Sequence, residues 1–190
     1  GGVRVNYDYY ENIVHNFNDG ISDPHARRAF ADSDYWDLVP TWRGEVDYDL
    51  TPDNMIYASA SRGYKPGGLN TLGGLLVTPQ FQPETNTSFE VGAKNQLMDH
   101  HLRLNVAGFY YIYKNMQYIA TDPVEFSGGV ENIPSTHIWG GEAEASYTGG
   151  PQDRMHIDAS LSLEDGEIEG TYYALDSTVQ QHIINTAAAC

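Results

Sequence analysis

Three kinds of residue in this chain could do chemistry: adjacent histidines, clustered carboxylates and paired glycines. His100-His101, with His137 and His156 elsewhere, offers nitrogen ligands for zinc. Neighbouring side chains on an extended backbone point to opposite sides, and nothing supplies the i, i+4 helical spacing with which two histidines grip one ion. Asp32-Ser33-Asp34 and Glu164-Asp165-Gly166-Glu167 offer oxygen for calcium. Neither follows the ordered ligand positions of a calcium-binding loop, so both read as solvated acidic loops. Glu142 and Glu144 share one face of an extended run, whereas glycosidase carboxylates flank a substrate from opposite sides of a cleft. Gly67-Gly68 and Gly73-Gly74 lack the strand-to-helix setting of a phosphate cradle. No Ser-His-Asp order or nucleophile elbow is present. Cys190 is the only cysteine, which excludes a disulfide framework and a cysteine-based metal site. The chain does not read as an enzyme, and no cofactor or metal is expected.

The elements that would position these residues are strands. Trp42, Gly44, Val46, Tyr48 and Leu50 alternate with Thr41, Arg43, Glu45, Asp47 and Asp49. Phe89, Val91, Ala93 and Leu97 run against Ser88, Glu90, Gly92, Lys94 and Gln96. Leu102, Leu104, Val106, Gly108, Tyr110 and Ile112 share a face, opposed by Arg103 and Asn105. Trp139, Ala143, Ala145 and Tyr147 oppose Glu142, Glu144 and Ser146; Met155 to Leu163 and Val3 to Tyr9 repeat the pattern. Only Met55 to Tyr64 is untidy, with Arg62 in phase with Ile56, Ala58 and Ala60. Strict period-two alternation of this kind marks half-buried strands, and seven are expected, with no helix.

Composition says what the two faces meet. The 190 residues suffice for about one domain, and 26 acidic against 10 basic residues give a net charge of -16. That balance argues against nucleic acid, whose phosphates need clustered Lys and Arg. It also argues against a basic arm on anionic lipid. Even the longest apolar stretch, Val106 to Tyr113, falls far short of a membrane-spanning helix. With 14 Tyr, 19 Gly and only 41% hydrophobic residues, the chain is thin in core-forming side chains. A wall with lipid on one side and water on the other needs only alternate residues apolar. Opening on Gly1-Gly2-Val3 and stopping after Ala189-Cys190, the sequence is expected to be a piece of a longer protein.

The connections alternate as regularly as the residues. Thr51-Pro52-Asp53-Asn54 (read as a type I turn), Met98-Asp99-His100-His101 and the turn centred on Gly149-Gly150-Pro151 are short. The links Tyr10 to Pro40, Lys65 to Pro83, Ala120 to Thr136 and Gly166 onward are long. Sandwiches mix loop lengths at both ends, whereas outer-membrane barrels put short turns on the periplasmic side and long loops outside. The expected fold is therefore all-β, a fragment of a large antiparallel transmembrane barrel with about seven strands. Shifting Thr41–Leu50 by one residue would put Arg43, Glu45, Asp47 and Asp49 into lipid, at roughly 2 to 4 kcal/mol for a charge near the midplane. Trp42, Tyr48, Tyr110, Trp139 and Tyr147 fit the aromatic girdles.

The run Asp53 to Asn70, DNMIYASASRGYKPGGLN, resembles the barrel of TonB-dependent outer-membrane receptors. So do Phe81-Gln82-Pro83-Glu84-Thr85 with Ser88 to Lys94, and Leu102 to Tyr111 with Tyr113-Lys114-Asn115-Met116-Gln117. Glu131-Asn132 with Ile138 to Glu144 matches the family's Asn-to-Gly-x-Glu strand start, although Pro134 stands where a small residue is usual. The resemblance runs from about Gly2 to Glu164 and implies part of a barrel of about 22 strands closed by a plug. Residues 1–190 would be partial barrel, with the plug and the TonB-contacting segment absent.

It further implies an outer-membrane location and energised uptake of an iron-siderophore-type chelate. Uptake of an oligosaccharide or cobalamin is the alternative within the class, and a soluble all-β carbohydrate-binding module the alternative outside it. The expected partners are outer-membrane lipid, the plug of the same chain, TonB and a ferric siderophore or similar ligand. Arg43, Glu45, Asp47, Arg62, Glu90, Lys94, Arg103, Glu142 and Glu144 are expected to face the lumen and the plug. Tyr35, Trp36, Tyr64 and Lys65, placed in long loops, are expected to meet the ligand, because aromatic and cationic groups suit a planar anionic chelate.

Overall fold

A computed structural model describes residues 1–12, 33–70, 78–122 and 127–169. Asp32, Gly73-Gly74 and Cys190 lie outside them. In chain order the strands are β1 (Gly2–Asn12), β2 (Ser33–Thr51), β3 (Asn54–Lys65), β4 (Gly68–Leu69), β5 (Gln80–Phe81), β6 (Glu84–Leu97), β7 (Leu102–Lys114), β8 (Met116–Asp122), β9 (Ser127–Ile133), β10 (Thr136–Gly149) and β11 (Met155–Ile168). Seven of them form one antiparallel meander in the order β1-β2-β3-β6-β7-β10-β11, while β4-β5 and β8-β9 are two-stranded ribbons. The seven expected strands are the seven of the main sheet. Among the described residues no helix is long and apolar enough to cross a membrane.

Directly paired residues share a face, so register carries each strand's alternation across the sheet. One row runs Val46, Ala58, Val91, Gly108, Gly141, Leu163, and the next Tyr48, Ile56, Ala93, Val106, Ala143, Leu161. The intervening row on the other face is Asp47, Tyr57, Gly92, Ala107, Glu142, Ser162. Trp42, Tyr110 and Trp139 stand toward the long-loop end of the apolar side, Tyr48 and Tyr147 toward the short-turn end. Neither face is covered by a second layer among the described residues. Among the described residues only Tyr35 and Val39 are buried apolar side chains, at 7% and 5% exposure, while Val46 stands 71% exposed. A soluble module cannot rest on so small a core. Expressed alone without detergent, residues 1–190 are expected to sediment as aggregates through these apolar rows and the open edges of β1 and β11; a stable monomer in buffer would contradict this.

The short turns are built by local chemistry. Thr51 Oγ1 accepts from the Asp53 amide at 3.2 Å and from Asn54 Nδ2 at 2.7 Å. Met98, Asp99 and His100 all carry positive φ, at 56°, 52° and 66°. Gly150, at φ 82°, leads into a single 3-10 turn, Pro151–Asp153. The adjacent histidines do reach opposite ways. His100 Nε2 lies 3.6 Å from Asp53 Oδ1, and His101 Nδ1 lies 2.7 Å from the Thr148 carbonyl. One turn is thereby tied to both of its neighbours.

Four expectations need correction. β2 begins at Ser33 and β3 runs to Lys65, so Tyr35, Trp36, Tyr64 and Lys65, with Ser33-Asp34 of the first acidic cluster, lie in strands rather than loops. Pro40, expected as a loop end, sits just beyond the last β2–β3 pair, Trp42 with Arg62, where among the described residues β1 is the one strand still paired with β2 and proline is tolerated. The Ala120–Thr136 link is largely the β8–β9 ribbon, set off from β7 by Asn115 at φ 55°. Glu164 to Glu167 is not an acidic loop but the end of β11, paired to Gly140 through His137.

Candidate functional site

The polar face gathers eight of the nine residues expected there. Arg43 Nη2 donates to Glu45 Oε2 at 2.7 Å along one strand. Asp47 lies opposite Tyr57, and the Tyr57 hydroxyl donates to Glu90 Oε1 at 2.7 Å. Lys94 Nζ stands 5.1 Å from the Tyr57 ring centroid, a cation–π contact. Arg103 lies between Gln96 and Ser146, Glu142 between Ala107 and Ser162, and Glu144 between Asn105 and Ser160. Arg62 departs from the set. Its register partners are Trp42 and Thr87, which puts it in phase with the apolar side. It lies near the outer end of β3, where a long cationic side chain can snorkel to the membrane boundary.

The four candidates for ligand contact are not brought to one point. Tyr35 and Trp36 are neighbours on a strand and face opposite ways: Tyr35 is buried, whereas Trp36 is 61% exposed on the apolar side. Lys65 ends β3 opposite Glu84. Tyr64 donates its hydroxyl to Asp8 Oδ2 at 2.6 Å, and Asp8 faces Asp37 directly across β1–β2. Tyr35 belongs to the same cluster. A spanning strand needs about ten residues; the alternating run Thr41 to Leu50 of β2 supplies them, and Tyr35 stands beyond that run. Burial, then Asp37 and Asp8, push its phenol up to about 12, and it stays a neutral hydrogen-bonding group. Gly67 is packed against the Tyr35 hydroxyl, and a Cβ there would also come within 2.6 Å of the Phe81 carbonyl.

Sequence reasoning missed the residues that fasten the long-loop end. Asn70, 7% exposed, donates through Nδ2 to the Thr78 carbonyl at 2.8 Å and the Val130 carbonyl at 2.9 Å, and its Oδ1 accepts from the Val130 amide at 2.9 Å. Gln117 Nε2 donates to the Pro66 carbonyl at 2.8 Å and the Gln82 carbonyl at 3.1 Å, while its amide donates to Glu84 Oε2 at 2.8 Å. Asn132 Nδ2 reaches the Asn115 and Gln82 carbonyls at 2.7 and 3.0 Å, its Oδ1 accepts from the Gln82 amide at 2.6 Å, and Glu131 accepts from the Thr78 amide. All five side chains, Asn70, Glu84, Gln117, Glu131 and Asn132, fall in the motifs that carry the family resemblance, which is the signal that could have found them.

A family model described as TonB dependent receptor-like, beta-barrel, matches residues 1–187. The chain belongs to that family. As TonB-dependent receptor barrel it lies in the bacterial outer membrane. The Metal-pseudopaline receptor CntO of Pseudomonas aeruginosa (strain UCBPP-PA14) is 33% identical over 78 residues, 41% of this chain and 10% of that protein. Among solved structures, the Copper transporter OprC superposes with a TM-score of 0.65 at 17% identity, over 88% of this chain and 25% of that one. The siderophore receptor PiuA from Acinetobacter baumannii gives a TM-score of 0.57 at 19% identity, over 92% and 24%. The chain thus spans a quarter or less of the receptors it resembles.

Proposed function

We propose that the full-length receptor takes up an iron-siderophore-type chelate across the outer membrane, driven through TonB, and that residues 1–190 are part of its barrel with the plug elsewhere in the chain. The family match over residues 1–187 carries this reading. Relatives described as receptors for metal-pseudopaline and for siderophores favour a chelated metal over a sugar. On this reading Tyr64 and Tyr35, gathered about Asp8 and Asp37, form the wall of the ligand vestibule, with Lys65 on its rim. Arg43, Glu45, Asp47, Glu90, Lys94, Arg103, Glu142 and Glu144 meet polar groups of the plug. The test is ligand binding by the purified full-length receptor in detergent. Ferric chelates of catecholate, hydroxamate and carboxylate type should include one bound at nanomolar concentration, and deletion of the gene should slow growth on that chelate. Binding of cobalamin or a maltodextrin with no ferric chelate bound would overturn it.

A further inference from the structure

Tyr57 and Gly92 form an arrangement on the lumen wall that strand packing alone does not require. They are paired directly across β3 and β6, and the ring lies flat over the glycine. A Cβ on residue 92 would stand 2.6 Å from two ring carbons of Tyr57 and from its hydroxyl oxygen, so any side chain there would lift Tyr57 off the sheet. Lying flat, the ring spans the two charges that flank Gly92 on its own strand. Its hydroxyl donates to Glu90 Oε1 at 2.7 Å, and its face carries Lys94 Nζ at 5.1 Å. Glu90 and Lys94 are four residues apart, about 13 Å along the strand. Each is tethered on one side only: Oε2 of Glu90 remains an acceptor, and the Lys94 ammonium keeps donors beyond the ring.

We propose that Tyr57 is a positioning residue, which seats on Gly92 to present Glu90 and Lys94 as a preformed pair of opposite charges. The partner it fits is a polypeptide surface in the lumen with a cation and an anion at matching separation. This rests on the reading that a plug fills the lumen. Preorganisation is what the arrangement supplies: two long side chains lose their rotamer freedom in the empty wall rather than on docking.

The experiment uses the full-length receptor in detergent. Urea is raised while two signals are followed, the heat-modifiable migration of the folded barrel and the protease sensitivity of the plug. Tyr57→Phe keeps the ring and removes only the hydroxyl. It should leave the barrel signal unchanged and expose the plug about tenfold faster, the scale of one lost hydrogen bond to a charged group. Glu90→Gln should do the same, and the double variant should be no worse than either single one. Gly92→Ala, which lifts the ring, should reproduce the effect and weaken the coupling to Lys94→Gln as well. If Glu90→Gln speeds plug exposure but Tyr57→Phe does not, or if the two effects simply add, Tyr57 does not act through Glu90 and the proposal fails. If neither Glu90→Gln nor Lys94→Gln moves the plug signal, the plug reading at this wall falls and takes the proposal with it.

Discussion

Val106→Arg should nearly abolish recovery of folded receptor, while Ala107→Arg, one residue along, should leave it close to wild type. Val106 lies in the middle of β7, paired with Ala93 and Ala143 in a row that faces lipid. A guanidinium near the bilayer midplane costs roughly 2 to 4 kcal/mol on the lipid face of a barrel. That corresponds to about 30- to 700-fold in the folding equilibrium. Snorkelling offers little relief, since the boundary lies several residues away in either direction. Ala107 points to the other side, between Gly92 and Glu142, where water and a carboxylate receive the new charge. The measurement is the fraction of full-length receptor that migrates as folded barrel in unheated outer-membrane extracts. Equal losses for the two variants would mean that the register does not separate a lipid face from a wet one.

That contrast shows why so much of the fold was legible and where legibility stopped. Strands crossing between lipid and water must alternate strictly, so the seven strands and their order could be read from residues such as Val46 against Asp47. Of the nine charged candidates, Arg62 alone stands off the polar face, where side-chain type and phase disagree. Phase was the better guide, because a charge at the end of a spanning strand can escape to the boundary. Strand ends at the long-loop side were less legible. Beyond the membrane no solvent boundary enforces alternation, and Pro40 and Asn115 resemble stops, although one sits beside a lost neighbour and the other merely turns the chain into β8. The ligand candidates suffered most. Tyr35 and Trp36 were grouped by chemistry, yet adjacent positions on a strand cannot serve one site. The fasteners Asn70, Gln117 and Asn132 were not legible as such, because their side chains meet backbone groups 8 to 60 residues away, which no local pattern encodes.

Asn70→Ala should loosen two loops at once. Its amide uses both donors and one acceptor lone pair on backbone groups of two separate segments, the Thr78 carbonyl and both polar groups of Val130 in β9. Alanine leaves three backbone groups without their partner, and water replaces them poorly at a position 7% exposed. At about 1 kcal/mol or more for each buried group so orphaned, the local loss is roughly 2 to 4 kcal/mol. It does not reach the barrel, whose ladders are unaffected. Asn70→Asp is the sharper variant. It has nearly the same shape and keeps the oxygen that meets the Val130 amide, but it turns a carboxylate oxygen toward two carbonyls where Nδ2 had donated. It should therefore be at least as damaging as alanine. Hydrogen exchange on the full-length receptor reads the outcome. Amides of Thr78–Gln82 and of Ser127–Ile133 should lose protection together by about 30-fold or more, with β6 and β7 unchanged. Protection lost in one segment only would show that Gln117 and Asn132 fasten the loops without Asn70, and that the two do not move as one body.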